Sequence, residues 1–133
     1  MKSLSNLFLP YELALIAKQK GFNEPCLGYW EIDNLGTNLF IPSHPCRFEE
    51  TAVNQVTAPL YQQVIDWLRD EYNLHISMQT IVNEPNNFGW SMFKGAKYSC
   101  ENSTNESGKN YYEALAEAIE QAFKLIPDTK NIV

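Results

Sequence analysis

The spacing of apolar residues along the chain predicts a first helix over Pro10–Lys20. Pro10 suits a first helical turn, and Leu13 and Ile16 follow at helical spacing. Gly21 directly follows this segment, and glycine readily adopts the left-handed conformation that ends many helices. We therefore expect the helix to end there.

Two further segments repeat apolar residues every three to four positions. The second helix begins in the turn that holds Pro59, and Asn73 can cap its end. Its apolar stripe comprises Leu60, Val64, Trp67, Leu68 and Tyr72. The third helix is expected to begin near Ser107 or Gly108 and to stop at Pro127. Its buried stripe comprises Leu115, Ile119, Ala122, Phe123 and Ile126, with Glu113, Glu117 and Glu120 on the outer side.

Four segments show the period of two that is typical of strands. Turn residues at 33–36 separate the first two, so they predict a hairpin. The polar stretches 83–87 and 101–110 are expected to be loops. The predicted strands are Cys26–Ile32, Asn38–Ile41, Leu74–Val82 and Phe88–Tyr98.

The resulting order, α-β-β-α-β-β-α, predicts an α+β fold with helices on one face of a mainly antiparallel sheet of about four strands. The 133 residues fit a single domain over 1–133, with residues 127–133 as a tail that frays. Apolar residues make up 44% of the chain, enough for a core without metals or disulfides.

Net charge narrows the classes of partner. The formal charge is −6, and the basic residues are scattered singly, so no basic face for nucleic acid is expected. No segment approaches the roughly 20 apolar residues of a membrane span. The odd number of cysteines, 3 in all, is typical of free thiols in a reducing cytoplasm. We expect a cytoplasmic protein that does not bind membranes.

Catalytic and metal-binding patterns are weak. Cys26, His44, Cys46 and Cys100 could form a four-ligand zinc site, but they lack the paired cysteine knuckles of structural zinc sites. Cys46 and His75 are a conceivable nucleophile and base, although no nucleophile motif surrounds them. The sequence therefore leans against an enzyme and predicts neither a metal nor a cofactor.

Aromatic residues give the clearest binding signal. Tyr29 and Trp30 are neighbours in a strand and must point to opposite faces of the sheet, and Trp90 repeats the situation on another strand. An aromatic on an open face serves as a protein interface or as a stacking platform for a planar ligand, unless a helix covers it. The long segment Pro42–Val56 adds His44 and Arg47, beside acidic residues that offset their charge. The candidate binding residues are Tyr29, Trp30, His44, Arg47 and Trp90.

Three stretches of the chain resemble a family of small uncharacterised proteins encoded by phages and prophages, many of them from Bacteroidetes and their phages. The stretches are AKQKGFNEPCLGYW, APLYQQVIDWLRDEYNLHISM and YYEALAEAIEQAFKLI. The family has no established activity, so no residue inherits a role. The resemblance implies an accessory protein that works in the cytoplasm of a bacterial host.

The leading hypothesis is a non-enzymatic phage-type binding protein that engages a host or phage protein, or sequesters a small molecule, with anti-defence as one use. We also expect it to form a homo-oligomer. One alternative is a small hydrolase that depends on cysteine and histidine or on a metal. Another is an acidic mimic of nucleic acid, for which the glutamates of the last helix supply a row of charge.

Overall fold

The computed structural model describes residues 4–45, 53–81, 84–94, 97–102 and 110–128. The chain divides into two compact units. The first comprises Met1–Gln63 with Pro127–Val133, and the second comprises Val64–Ile126. Helices and antiparallel sheets in the described residues confirm the α+β class. The expectation of a single domain stays a prediction.

The described elements are three α-helices, six strands and a short 3-10 helix at Leu4–Leu7. The helices are α1 (Tyr11–Gln19), α2 (Tyr61–Tyr72) and α3 (Tyr111–Lys124). The strands are β1 (Gly28–Asp33), β2 (Gly36–Phe40), β3 (Gln55–Ala58), β4 (Leu74–Ile81), β5 (Glu84–Lys94) and β6 (Lys97–Asn102).

The first unit contains an antiparallel sheet in the order β2-β1-β3. Across this sheet Trp30 lies opposite Leu39 on one side and opposite Val56 on the other. Val56 and Ala58 are fully buried, which identifies their face of the sheet as the core face. Trp30 donates its indole N–H to the carbonyl oxygen of Leu9, 2.7 Å away, and so ties β1 to the segment that precedes α1.

Gly28 allows β1 and β2 to approach closely. A Cβ placed at this position would lie 2.9 Å from the carbonyl oxygen of Phe40 and 3.3 Å from Cδ1 of Leu39. A Cβ does not approach a backbone oxygen as closely as 2.9 Å in real proteins, so the local pairing of the strands depends on glycine.

Both helix ends predicted from left-handed residues are confirmed. Gly21 follows α1 with φ of +100°, and the amide of Phe22 donates to the carbonyl of Ala17 over 3.0 Å. Asn73 follows α2 with φ of +57°, and its amide donates to the carbonyl of Arg69. Helix α1 itself begins one residue after Pro10, as a proline in the first turn favours.

The second unit contains an antiparallel meander in the order β4-β5-β6, with α3 packed against β5. Along β4 the side chains alternate between buried or half-buried and exposed from Leu74 to Gln79, which confirms the predicted period. Trp90 and Met92 of β5 are buried. The predicted stripe of α3 is buried throughout: Leu115, Ile119, Ala122, Phe123 and Ile126.

Helix α3 begins at Tyr111, later than the predicted start near Ser107 or Gly108. A reciprocal capping box fixes the start, because the amide of Glu113 donates to Asn110 Oδ1 over 2.9 Å and the amide of Asn110 donates to Glu113 Oε1 over 3.0 Å. Together they satisfy two backbone donors that a helix otherwise leaves unpaired. The asparagine, rather than the preceding serine or glycine, therefore sets the boundary.

The predicted sheet of about four strands and the order α-β-β-α-β-β-α are wrong in detail. Six strands in two sheets are described. Strand β3 begins at Gln55 inside the predicted loop, and the predicted strand Phe88–Tyr98 divides into β5 and β6. The polar residues Glu84, Glu101 and Asn102 pair with neighbouring strands, because backbone pairing does not require apolar side chains.

In the described residues, no helix combines the length and hydrophobicity that crossing a membrane would require.

Candidate binding surface

The hairpin formed by β1 and β2, here called the hairpin arm (28–40), projects past β3. Strand β3 pairs with β1 only over Gly28–Glu31, so the far end of the arm lacks a second neighbour among the described residues. Apolar side chains are exposed along it and just beyond it: Ile32 (41%), Leu35 (97%), Phe40 (42%) and Ile41 (49%). Ile32 lies on the same face as Trp30, whereas Phe40 lies on the opposite face with Tyr29. The arm therefore exposes apolar side chains on both faces and at its turn.

The register of the hairpin assembles an outer face from alternate residues of both strands. Tyr29 lies opposite Phe40, and their rings stack with centroids 5.4 Å apart and an angle of 20° between planes. Glu31, Asp33 and Asn38 continue the same face, because residues two apart share a side of a strand. The outer face thus carries an aromatic pair at one end and polar groups along the rest.

The carboxylates of the outer face have neutral hydrogen-bond partners. Gln55 donates to Glu31 over 2.8 Å, and Asn38 donates to Asp33 over 3.2 Å. The backbone amide of Leu35 also donates to Asp33, which shapes the turn. No lysine or arginine occurs between residues 21 and 46, so this surface is acidic as well as aromatic.

One edge of β2 presents backbone groups away from β1. The amide of Ile32 donates to the carbonyl of Asn54, 3.0 Å away, and thus points toward β3. Thr37, the partner of Ile32, therefore directs its N–H and C=O away from β1, and so does Leu39 two residues on. Within the described residues, β2 pairs with β1 alone.

Sequence reasoning named Tyr29 as a candidate and did not name Phe40, which stacks on it. The available signal was the hairpin itself, because a two-residue turn between Asp33 and Gly36 places residue 40 directly opposite residue 29. Trp30 lies on the core face, as expected for the neighbour of Tyr29, and is half-buried. Its role is to anchor the arm, since its indole N–H is donated to Leu9.

Trp90 does not join this surface. It belongs to the second unit and is only 4% exposed. Its indole N–H donates to Glu117 Oε1 over 2.9 Å, so α3 covers the face of β5 on which Trp90 lies. A buried, hydrogen-bonded tryptophan stabilises a core and is not a stacking platform. The structure therefore corrects its choice as a binding residue.

Of the two candidate binding residues that follow the hairpin, His44 and Arg47, the structure describes only His44. His44 is exposed and follows Ile41 by three residues. Arg47 lies outside the described residues, and so does most of the predicted Pro42–Val56 loop. The proposed pairing of His44 with Arg47 remains a prediction.

The residues behind the hydrolase and metal alternatives are described only in part. Cys26 is buried and donates its thiol to the carbonyl of Glu24 over 3.3 Å. His75 is exposed, and its Nε2 lies 3.0 Å from Asn73 Oδ1. Cys46 and the side chain of Cys100 lie outside the described part. Within that part, no three residues of the metal-binding types come together.

The glutamate row of α3 does not form a uniform charged face. Glu113 closes the capping box, and Glu117 is half-buried and accepts from Trp90. Only Glu120 of the three is exposed without either of these roles. Two of the three glutamates thus serve local structure, which weakens the acidic-mimic alternative.

Charged residues on the outer side of α2 pair with one another. Arg69 contacts both Asp66 and Asp70 over 3.1 Å. The hydrogen bond and charge of Asp70, with help from Asp66, raise the pKa of Arg69, which stays protonated in any case. Exposed pairs of this kind add little stability and do not form a site.

No family model, curated protein or solved structure matches the chain. The resemblance to phage-encoded proteins therefore stays a prediction.

Proposed function

We propose that this chain is a non-catalytic binding protein that engages a protein partner through the outer face and tip of the hairpin arm. Two exposed side chains carry the proposal: Phe40, which stacks on Tyr29 at the base end of the outer face, and Leu35 at the tip. Trp30 anchors the arm that presents them. Exposed aromatic and aliphatic residues on a rigid support are the usual anchors of protein interfaces.

The charge of the arm indicates the kind of partner. Glu31 and Asp33 continue the outer face from the aromatic pair toward the turn, and their side-chain partners among the described residues, Gln55 and Asn38, are neutral. Residues 21–46 contain no lysine or arginine. A complementary surface would present apolar side chains for Phe40 together with lysine or arginine for the carboxylates. In line with the resemblance, we propose that binding serves a phage-type accessory role, such as anti-defence, in the bacterial cytoplasm.

Site-specific photo-cross-linking tests the proposal. A photoreactive amino acid replaces Phe40 in one variant and Tyr111 in another, because both positions are exposed aromatics, at 42% and 37%. Both variants are irradiated in bacterial cells. We expect a discrete protein adduct from position 40 that is missing from position 111.

The partner recovered in this way is then purified and titrated with two serine variants. Phe40→Ser should weaken binding about tenfold or more, as loss of an interface anchor does, whereas Tyr111→Ser should not. Equal adducts from both positions would contradict the proposal. A small bound mass in native mass spectrometry, lost in Tyr29→Ala, would replace the protein partner with a small ligand.

A further inference from the structure

We propose that the open edge of β2 pairs with the same edge of a second copy of this chain, forming one continuous antiparallel sheet across a two-fold axis at Asn38. An unprotected edge strand is a template for another strand, and natural proteins usually block it with charge, proline or a covering element. Strand β2, Gly-Thr-Asn-Leu-Phe, has neither a charged residue nor a proline.

Backbone geometry favours this register. Thr37 and Leu39 are the residues of β2 whose N–H and C=O point outward. With Asn38 on the axis, Thr37 of each copy lies opposite Leu39 of the other, so two hydrogen-bonded pairs supply about four backbone hydrogen bonds. The two-fold symmetry is that of most soluble dimers.

Side-chain sizes are complementary in the same register. Phe40 of one copy lies opposite Gly36 of the other, so an exposed ring covers a residue that has no side chain. Thr37 of one copy lies opposite Leu39 of the other, and the two Asn38 side chains meet at the axis. Each large side chain thus has a small or medium neighbour.

Charge does not oppose the pairing, although each chain carries −6. Among the carboxylates of the described hairpin, the two Glu31 side chains lie nearest each other across the axis, since Glu31 neighbours Asn38 in the sheet. Three strand spacings separate them, about 14 Å. That distance exceeds the Debye length of about 8 Å at physiological salt, so their repulsion is largely screened.

Disulfide trapping tests the register in the full chain with Cys46→Ser and Cys100→Ser as background. Residues opposite each other at the axis lie within disulfide range, whereas the two copies of residue 37 are offset by two positions and exceed about 7 Å. Mild oxidation of Asn38→Cys should therefore give at least about fivefold more covalent dimer than Thr37→Cys. Equal cross-linking of the two variants would overturn the register.

A charge swap tests the association without a new thiol. Asp33→Asn with Asn38→Asp keeps the hydrogen bond and the net charge within the hairpin but places two carboxylates opposite each other at the axis. The dimer dissociation constant should rise about tenfold or more, because repulsion between two charges about 5 Å apart amounts to about fourfold in bulk water and about 300-fold at the lower dielectric constant of a protein surface. Roughly 1 M salt should recover most of the loss. Asp33→Asn alone is the control and should dimerise like wild type.

Sedimentation of the purified wild type between roughly 0.01 and 1 mM gives the reference, since a small interface predicts a weak dimer. A wild type that stays monomeric across this range, or a swap variant that dimerises equally well, would overturn the proposal. Because these readouts use the purified chain alone, their failure is distinct from failure of partner binding.

Discussion

The two sheets of this protein have the same number of described strands but differ in what lies on and beside them. In the second unit, α3 packs on β5, and Trp90 beneath it is buried and hydrogen-bonded to Glu117. In the first unit, the hairpin arm presents the Tyr29–Phe40 pair on an outer face, and β2 pairs with β1 alone among the described strands. An aromatic residue in a strand is therefore informative about binding only when the helix packing is known.

Helices α1 and α3 also begin differently. Helix α3 starts with a complete capping box, whereas α1 starts after Pro10 without a side-chain cap. Hydrogen bonds between Asn110 and Glu113 thus define the start of α3, the helix that packs on β5. The arm, by contrast, depends on close strand contact at Gly28 and on the indole of Trp30.

The largest expected effect is the difference in stability between variants at Trp90 and at Phe40. Trp90→Ala should lower the free energy of unfolding by about 3–5 kcal/mol, because it opens a cavity and removes the partner of a half-buried glutamate. Phe40→Ala should cost about 1 kcal/mol or less, since that ring is 42% exposed. Urea unfolding of both variants measures the difference, and similar losses would break the comparison.

Gly28→Ala should cost about 1–3 kcal/mol, because a Cβ 2.9 Å from the carbonyl oxygen of Phe40 forces the strands apart. Leu27→Ala is the neighbouring control, since Leu27 is 51% exposed and its loss should matter little. Thermal unfolding of both variants provides the measurement. A glycine variant as stable as wild type would show that the arm does not depend on close packing.

Asn110→Ala should destabilise the second unit by about 1 kcal/mol through loss of the capping box of α3. Glu113→Gln is the matched variant, because an amide oxygen can still accept from the amide of Asn110. Helix content by circular dichroism and urea unfolding follow both. A loss for Asn110→Ala that is no larger than the loss for Glu113→Gln would contradict a stabilising role of the Asn110 side chain in the capping box.

The smallest expected effect concerns the ion pair between Lys20 and Asp128, whose charged atoms lie 2.9 Å apart. Asp128 is 41% exposed, so Asp128→Asn should cost less than about 1 kcal/mol and still less in about 1 M salt. Unfolding at two salt concentrations measures it. A large loss that salt does not reduce would mean that Asp128 does more than pair with a lysine.

The elements that sequence patterns predicted correctly are those with local causes. The positive φ at Gly21 and Asn73, the turn at 33–36 and the stripe of α3 each follow from residues adjacent in the chain. Strand β3 and the polar start of β5 could not be predicted this way, because their pairing partners supply the reason for an extended backbone.

The candidate surface shows the same limit. Tyr29 was chosen from its position beside Trp30, but its contribution to the surface depends on Phe40, which lies opposite and stacks on it. Trp90 has the same local signal and is buried, because α3, some 20 residues further along the chain, packs over it. Alternation alone cannot distinguish the two.

Residue-resolved amide hydrogen exchange of the wild type tests the central claim, an anchored arm with an open edge, most directly. In dilute protein, the amides of Thr37 and Leu39 should exchange quickly, while those of Asn38 and Phe40, which face β1, and of Trp90 should exchange slowly. Raising the concentration should slow exchange at Thr37 and Leu39 alone. Equal protection of all four β2 amides in dilute protein would contradict the account.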